Sequence, residues 1–174
     1  MSDMRDRIKG DENAFQKLAE SIPGFDGYRE EEIRRTADKL VREHLVKLLD
    51  ATRGKLEKMM RDSGTSNLDL TSKLDRIQRR MTALRDRVDH AGYGYSGFFD
   101  AVKIEDEELD RMYDYDMSLM NNIADMDAAV AALQEAEAAD FDASLAQLEA
   151  QMDYFEQMLD DRSEVIRSVV PGDE

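Results

Sequence analysis

Residues 109–169 read LDRMYDYDMSLMNNIADMDAAVAALQEAEAADFDASLAQLEAQMDYFEQMLDDRSEVIRSV, and the spacing of their apolar residues decides the fold. Apolar side chains recur at Leu109, Met112, Leu119, Ile123, Met126, Val130 and Leu133, then at Phe141, Leu145, Leu148, Met152, Phe155, Leu159 and Ile166. Steps of three and four place each series on one helical stripe. A turn at Ala136–Asp140 brings together residues whose numbers sum to 278, such as Leu133 with Leu145, Met126 with Met152 and Leu119 with Leu159. This register predicts an antiparallel coiled-coil hairpin. Two charged residues interrupt the stripes, Asp116 and Arg162, and the same register sets them opposite each other as an interior ion pair.

Residues 30–63 carry Ile33, Ala37, Val41, Leu45, Leu48, Thr52, Leu56 and Met59 at helical spacing. At 1.5 Å per residue that helix would be about 50 Å long. Glu30, Glu31 and Glu32 fall in its first turn, where carboxylates complement the helix dipole. Gly64 stops it, and Ser66 or Asn67 can cap the next helix, whose stripe is Leu70, Leu74, Ile77, Met81, Leu84 and Val88. These two stripes also pair, with residue numbers summing to 129 or 130, which predicts a second hairpin. Gly54 marks a bend, a close helix contact or a tolerated surface position.

The expected fold is therefore all-α: two antiparallel coiled-coil hairpins packed as an up-down-up-down four-helix bundle, with a short N-terminal helix around Phe15 and Leu18. The expected segments are 1–28, a short helix and Gly/aromatic connector; 29–91, the first hairpin; 92–104, a second Gly/aromatic connector; 105–170, the second hairpin; and 171–174, a tail. With 9 glycines and 2 prolines the chain has few breakers for a turn-rich sheet protein.

Charge divides the chain in two. Residues 1–91 hold 20 Lys and Arg against 18 Asp and Glu, whereas 92–174 hold 4 against 22, giving +2 and −18 and the total of −16. An acidic surface of that size repels phosphate backbones, so nucleic acid is excluded as the expected partner. It suits either salt-adapted solubility or a basic partner. Lys73, Arg76, Arg79, Arg80, Arg85 and Arg87 offer an electrostatic match for the acidic hairpin within the chain. No stretch approaches the roughly 18 apolar residues of a membrane span, and the N-terminus lacks a signal-peptide pattern, so a cytoplasmic location is expected.

Catalytic chemistry finds little support. Without cysteine there are no thiolate ligands, nucleophiles or disulfides. Carboxylate-bridged di-iron bundles need Glu-x-x-His pairs, and Val41 and Arg87 stand three residues before the two histidines, His44 and His90. Asp114-x-Asp116 and Asp140-x-Asp142 begin like calcium loops, but Leu119 and Leu145 take the glycine position. The Gly92, Gly94, Gly97 spacing lacks the preceding strand of a nucleotide site. No catalytic, cofactor or metal residue is assigned, and no small-molecule substrate is identified. His44, on the margin of a stripe, is a boundary histidine or a pH sensor.

Aromatic residues gather on the two connectors: Phe25, Tyr28, Tyr93, Tyr95, Phe98 and Phe99. They either plug one end of the bundle or form a recognition surface. A further row, Tyr113, Met117, Met120, Tyr154 and Met158, flanks the acidic hairpin and is the candidate surface for self-association.

The runs Ile22-Pro-Gly-Phe-Asp-Gly-Tyr-Arg-Glu and Gly92-Tyr-Gly-Tyr-Ser-Gly-Phe-Phe-Asp-Ala-Val-Lys-Ile resemble segments of uncharacterised prokaryotic helical proteins associated with stomatin/flotillin-type (SPFH) membrane scaffolds. The resemblance covers the two connectors and brings no catalytic motif. It implies a partner of a membrane-scaffold system, with indirect membrane association. The function expected is a non-enzymatic protein–protein interaction or scaffold module. One alternative is a carboxylate-rich bundle enzyme or metal-binding protein, and a third is a salt-sensitive binder of basic peptides or proteins.

Overall fold

A computed structural model of the chain describes residues 14–64, 67–92, 95–101 and 103–169. Helix α1 occupies residues 14–21 of that range, followed by α2 (Glu31–Ser63), α3 (Leu68–His90), the single turn α4 (Ser96–Asp100), α5 (Asp106–Glu135) and α6 (Phe141–Ser168). No strand occurs among the described residues. The helix ends follow local chemistry. Glu31 and Glu32 open α2, and Asp106, Glu107 and Glu108 open α5, where carboxylates meet unsatisfied N–H groups. Gly64 ends α2 at φ +64°, and the Asn67 side chain caps α3 by accepting from the Leu70 N–H at 3.1 Å. The tail at 171–174, and Val170 before it, lie outside the described residues.

α2 and α3 form one antiparallel hairpin, α5 and α6 the other, and the hairpins pack so that α2 lies along α5 and α3 along α6. Ion pairs report the direction of the second contact. Arg76 meets Glu149, Arg80 meets Asp153 and Arg87 meets Asp160, each 73 residues apart, so α3 and α6 run parallel. Within the described residues α2 does not pack directly on α6, nor α3 on α5. These are the diagonals of the bundle. The chain must therefore cross a diagonal to pass from α3 to α5, and α4 does so, packing against α2 and α6. That one-turn helix inside the second connector was not expected from the sequence.

The core lies between the four long helices, with Leu49, Leu56, Leu74, Met126, Val130, Met152 and Phe155 all buried. Its line on α2 corrects the expected one at two places. Leu49 is interior and Leu48 lies on the flank, partly buried; farther toward the N-terminus, Arg34 and Asp38 are interior while Ile33 is half-exposed. Gly54 meets open space and makes no close helix contact.

Candidate functional site

Asp38 of α2, Asp116 of α5 and Arg162 of α6 converge in the end of the bundle nearest the two connectors. The Arg162 Nε donates to Asp116 Oδ1 at 2.6 Å, and its Nη2 donates to Asp38 Oδ1 at 3.0 Å. The second oxygens are also engaged. Asp116 Oδ2 accepts from the Tyr28 hydroxyl at 2.5 Å, and Asp38 Oδ2 accepts from Arg42 Nε at 2.7 Å. Asp38 and Asp116 have no exposed side-chain surface and Arg162 keeps 2%. Both carboxylates thus have all their oxygens occupied by protein donors, the condition under which charge can be buried.

One guanidinium faces two carboxylates, and this sets the protonation equilibria. Burial opposes the Arg162 charge, but Asp116, Tyr28 and Asp38 together more than offset it, so its pKa is held well above the ordinary arginine value. Asp116 receives only a share of that cation. Burial therefore raises its pKa despite Arg162 and the Tyr28 hydroxyl, and repulsion from Asp38 adds to the rise. Burial and the Asp116 charge push the Tyr28 phenol well above its usual range. The cluster can hold an ion pair and orient an aromatic ring; with these atoms sealed from solvent, it presents no group to a reactant.

Tyr28 joins this cluster to the first connector. Its backbone N–H donates to the Tyr113 hydroxyl at 3.0 Å, and the two rings stack with centroids 5.6 Å apart at 18°. Phe25 and Phe98 meet Tyr28 edge-on at 5.6 and 5.9 Å, geometries favoured by the ring quadrupoles. Arg34 then ties the two connectors. Its Nε donates to the Tyr28 carbonyl at 2.7 Å, its Nη1 to the Ala101 carbonyl and its Nη2 to the Arg29 carbonyl at 3.3 Å. A planar guanidinium with five donors suits three carbonyls, two on consecutive residues of the first connector and one at the end of the second. On the outside, the Arg35 guanidinium lies 4.9 Å over the Phe99 ring, and the Tyr95 hydroxyl is 2.8 Å from the Ser163 hydroxyl.

These positions correct the expected partner surface. Phe25, Tyr28, Tyr95, Phe98, Phe99, Tyr113 and Met158 are all buried, because α4 and the first connector fold over the bundle end and turn the rings inward. Met117 and Met120 are partly buried against the core. Tyr154 alone of the set is well exposed, at 56%; Tyr93 lies outside the described residues. Asp116 and Arg162 meet, but within a larger group than a pair. Arg34, Asp38 and Arg42 were missed, though a signal existed. Stepping back from Leu45 and Val41 by alternating three and four reaches Asp38 and Arg34, whereas the apolar series runs through Ala37 and Ile33.

Along the shaft, the basic residues of α3 divide their partners. Lys73 bridges Asp142 at 2.8 Å, Arg76 bridges Glu149 at 2.6 Å, and Arg80 and Arg87 also reach α6. Arg79 instead pairs with Asp75 on its own helix, and Arg85 reaches Asp50 of α2 at 3.5 Å. Exposed pairs of this kind contribute about 0–1 kcal/mol each, so they orient the hairpins more than they stabilise them.

Among the described residues no three His, Asp or Glu side chains gather as a metal site, and no helix is long and apolar enough to cross a membrane. Comparison with protein-family models, curated proteins and solved structures finds no match to this chain.

Proposed function

We propose that this chain is a non-enzymatic helical interaction or scaffold module, located in the cytoplasm and able to self-associate. The observation that supports this most is the sealing of its charged interior. Asp38, Asp116 and Arg162, the groups with the most unusual environments, are engaged with one another and with Tyr28 and Arg42, away from solvent. Such a cluster fixes helix register, the best-attested use of buried ionic groups. Contact with other molecules then falls to the outer surfaces. The resemblance of the connectors to SPFH-associated proteins gives the module a membrane-scaffold system as its setting. Buried aromatic and Arg34 contacts at these connectors fit a role for those runs in building the bundle end.

The test is cross-linking of the full chain in its host, with mass spectrometry of the linked peptides. Repeated links from exposed lysines to a defined protein, or to a second copy, are expected. Purified protein carrying a stoichiometric metal that only chelation removes would overturn this reading in favour of a carboxylate-rich metal protein. Binding of basic peptides is the other reading, favoured by exposed Glu135, Glu137 and Asp140. It requires affinity that collapses with salt, since exposed charges are screened over about 10 Å at 0.1 M.

A further inference from the structure

We infer that the buried ionic cluster is the middle of a hydrogen-bonded relay that couples the first connector to the end of α3, so that the two loosen together. The coupling goes beyond the interaction-module reading and does not depend on it. Its links follow one another through the bundle end. The Tyr28 hydroxyl donates to Asp116 Oδ2 at 2.5 Å, and Arg162 Nε donates to Asp116 Oδ1 at 2.6 Å. Arg162 Nη2 then donates to Asp38 Oδ1 at 3.0 Å, and Arg42 Nε donates to Asp38 Oδ2 at 2.7 Å. Beyond the cluster, Arg42 Nη1 donates to the Asp89 carbonyl at 2.8 Å. That carbonyl lies in the last turn of α3, where a helix supplies no N–H of its own. Gly92 leaves room for the same guanidinium: a Cβ there would stand 2.6 Å from Arg42 Nη2 and 2.9 Å from its Cζ.

Burial makes the relay act as a unit. Asp38 and Asp116 have no exposed side-chain surface, Arg162 keeps 2%, and each carboxylate spends both oxygens on these donors. Breaking one link leaves a buried charge short of a partner, which costs more than the bond itself. States with a single broken link are therefore penalised against both the closed relay and one opened along its length, the behaviour of a polar network in a low dielectric. Arg42 is the end that meets solvent, its side chain 18% exposed. Drawing Arg42 off Asp89 thus acts on Tyr28, four hydrogen bonds away. Arg34 offers no shortcut, since it joins Tyr28 to Ala101, at the other end of the second connector.

Residue-resolved hydrogen exchange of the full chain, read by NMR, tests this. In Gly92→Ala the atoms nearest the new Cβ all belong to the far end of the Arg42 side chain, which swings aside at little cost, so the variant keeps the fold. Arg42→Gln breaks the same links by another route. Both variants should speed exchange of the Tyr28 N–H, which is bonded to the Tyr113 hydroxyl. Relative to the Met152 N–H the expected gain is about fivefold or more, the factor for one net hydrogen bond. Met152, buried within α6, reports global unfolding. In the reverse direction Tyr28→Phe should speed the Ala91 N–H, bonded to the Val88 carbonyl, because coupling between two sites is reciprocal. Faster exchange confined to residues 88–92 in Gly92→Ala and Arg42→Gln, with Tyr28 tracking Met152, overturns the relay. So do fold-changes in the unfolding constant of Tyr28→Phe and Gly92→Ala that simply multiply in the double variant.

Discussion

Arg162 and Asp38 meet at 3.0 Å across 124 residues of chain and across the centre of the bundle, between two helices that do not otherwise pack on each other. The contact makes a shared site of what the α5–α6 register alone would make a private pair. Removal of Arg162 leaves Asp116 with the Tyr28 hydroxyl alone and Asp38 with Arg42 alone; removal of Asp116 leaves Arg162 paired with Asp38.

Arg162→Leu is therefore expected to cost about 3–5 kcal/mol, the scale for an uncompensated buried charge, and more than Asp116→Ala. The double variant recovers part of the loss, since Asp38 then keeps only Arg42. Adding Asp38→Ala recovers more. Urea unfolding followed by circular dichroism gives each value. Losses that simply add across the three sites would mean that the charges do not interact.

Tyr28→Phe removes the donor to Asp116 Oδ2 and the hydroxyl 3.3 Å from Arg162 Nη2. A buried acceptor left unpaired costs about 1–3 kcal/mol, with charged groups at the upper end. Tyr113→Phe strands the Tyr28 N–H, a neutral donor, and should cost less. Thermal unfolding of both variants checks the order.

Acid dependence separates two groups of opposite sign. Asp116 has its pKa raised by burial above the ordinary 3.8. The folded state thus binds the proton more tightly, and the Asp116 contribution is full below 3.8 and lost as pH rises through the folded value. Against Asp116→Asn, which does not titrate, the native chain should lose relative stability as pH rises past 3.8. Unfolding titrations at a series of pH values measure this; a difference that grows with pH in favour of the native chain would contradict it.

His44 behaves in the other sense. Burial, with a smaller contribution from Lys47, lowers its pKa from the ordinary 6.5. Its contribution is present above 6.5 and is lost as pH falls through the folded value. His44→Gln should flatten the stability profile just below 6.5 and leave it unchanged above.

Gly27 and Gly54 should respond oppositely to alanine. Gly27 has φ +87°, and a Cβ there would come within 2.7 Å of the Tyr113 hydroxyl oxygen. The left-handed conformation alone costs a residue with a Cβ about 1–2 kcal/mol, and displacing Tyr113 breaks its bond to the Tyr28 N–H. Gly54→Ala, in open space on a helix, should stabilise by roughly 1 kcal/mol. Paired denaturation curves distinguish the two.

Much of the helical framework is legible in the chain because it depends on short-range periodicity. The α5 and α6 stripes, the hairpin turns, the Asn67 cap and the facing of Asp116 with Arg162 all follow from spacings of three and four. Leu48 and Leu49 show the limit of that signal: both are apolar, and only the packing partner decides which one faces in. Tyr28 and Phe98 show another. An aromatic residue on a Gly-rich connector has the same sequence signature whether it is a plug or a docking surface, and the path of the connector decides between them.

An all-α chain of two helical hairpins with a strongly acidic second half is written in the amino-acid order alone. Helix periodicity and the charge count are properties of neighbouring residues and need no tertiary information. The tertiary structure decided that the hairpins lie with like helices parallel, that α4 crosses the diagonal and turns the aromatic rings inward, and that Asp38 and Tyr28 complete the Asp116–Arg162 site. These relations join residues tens to more than a hundred positions apart. Only the packing of whole helices brings them within the few ångströms over which hydrogen bonds and desolvation act.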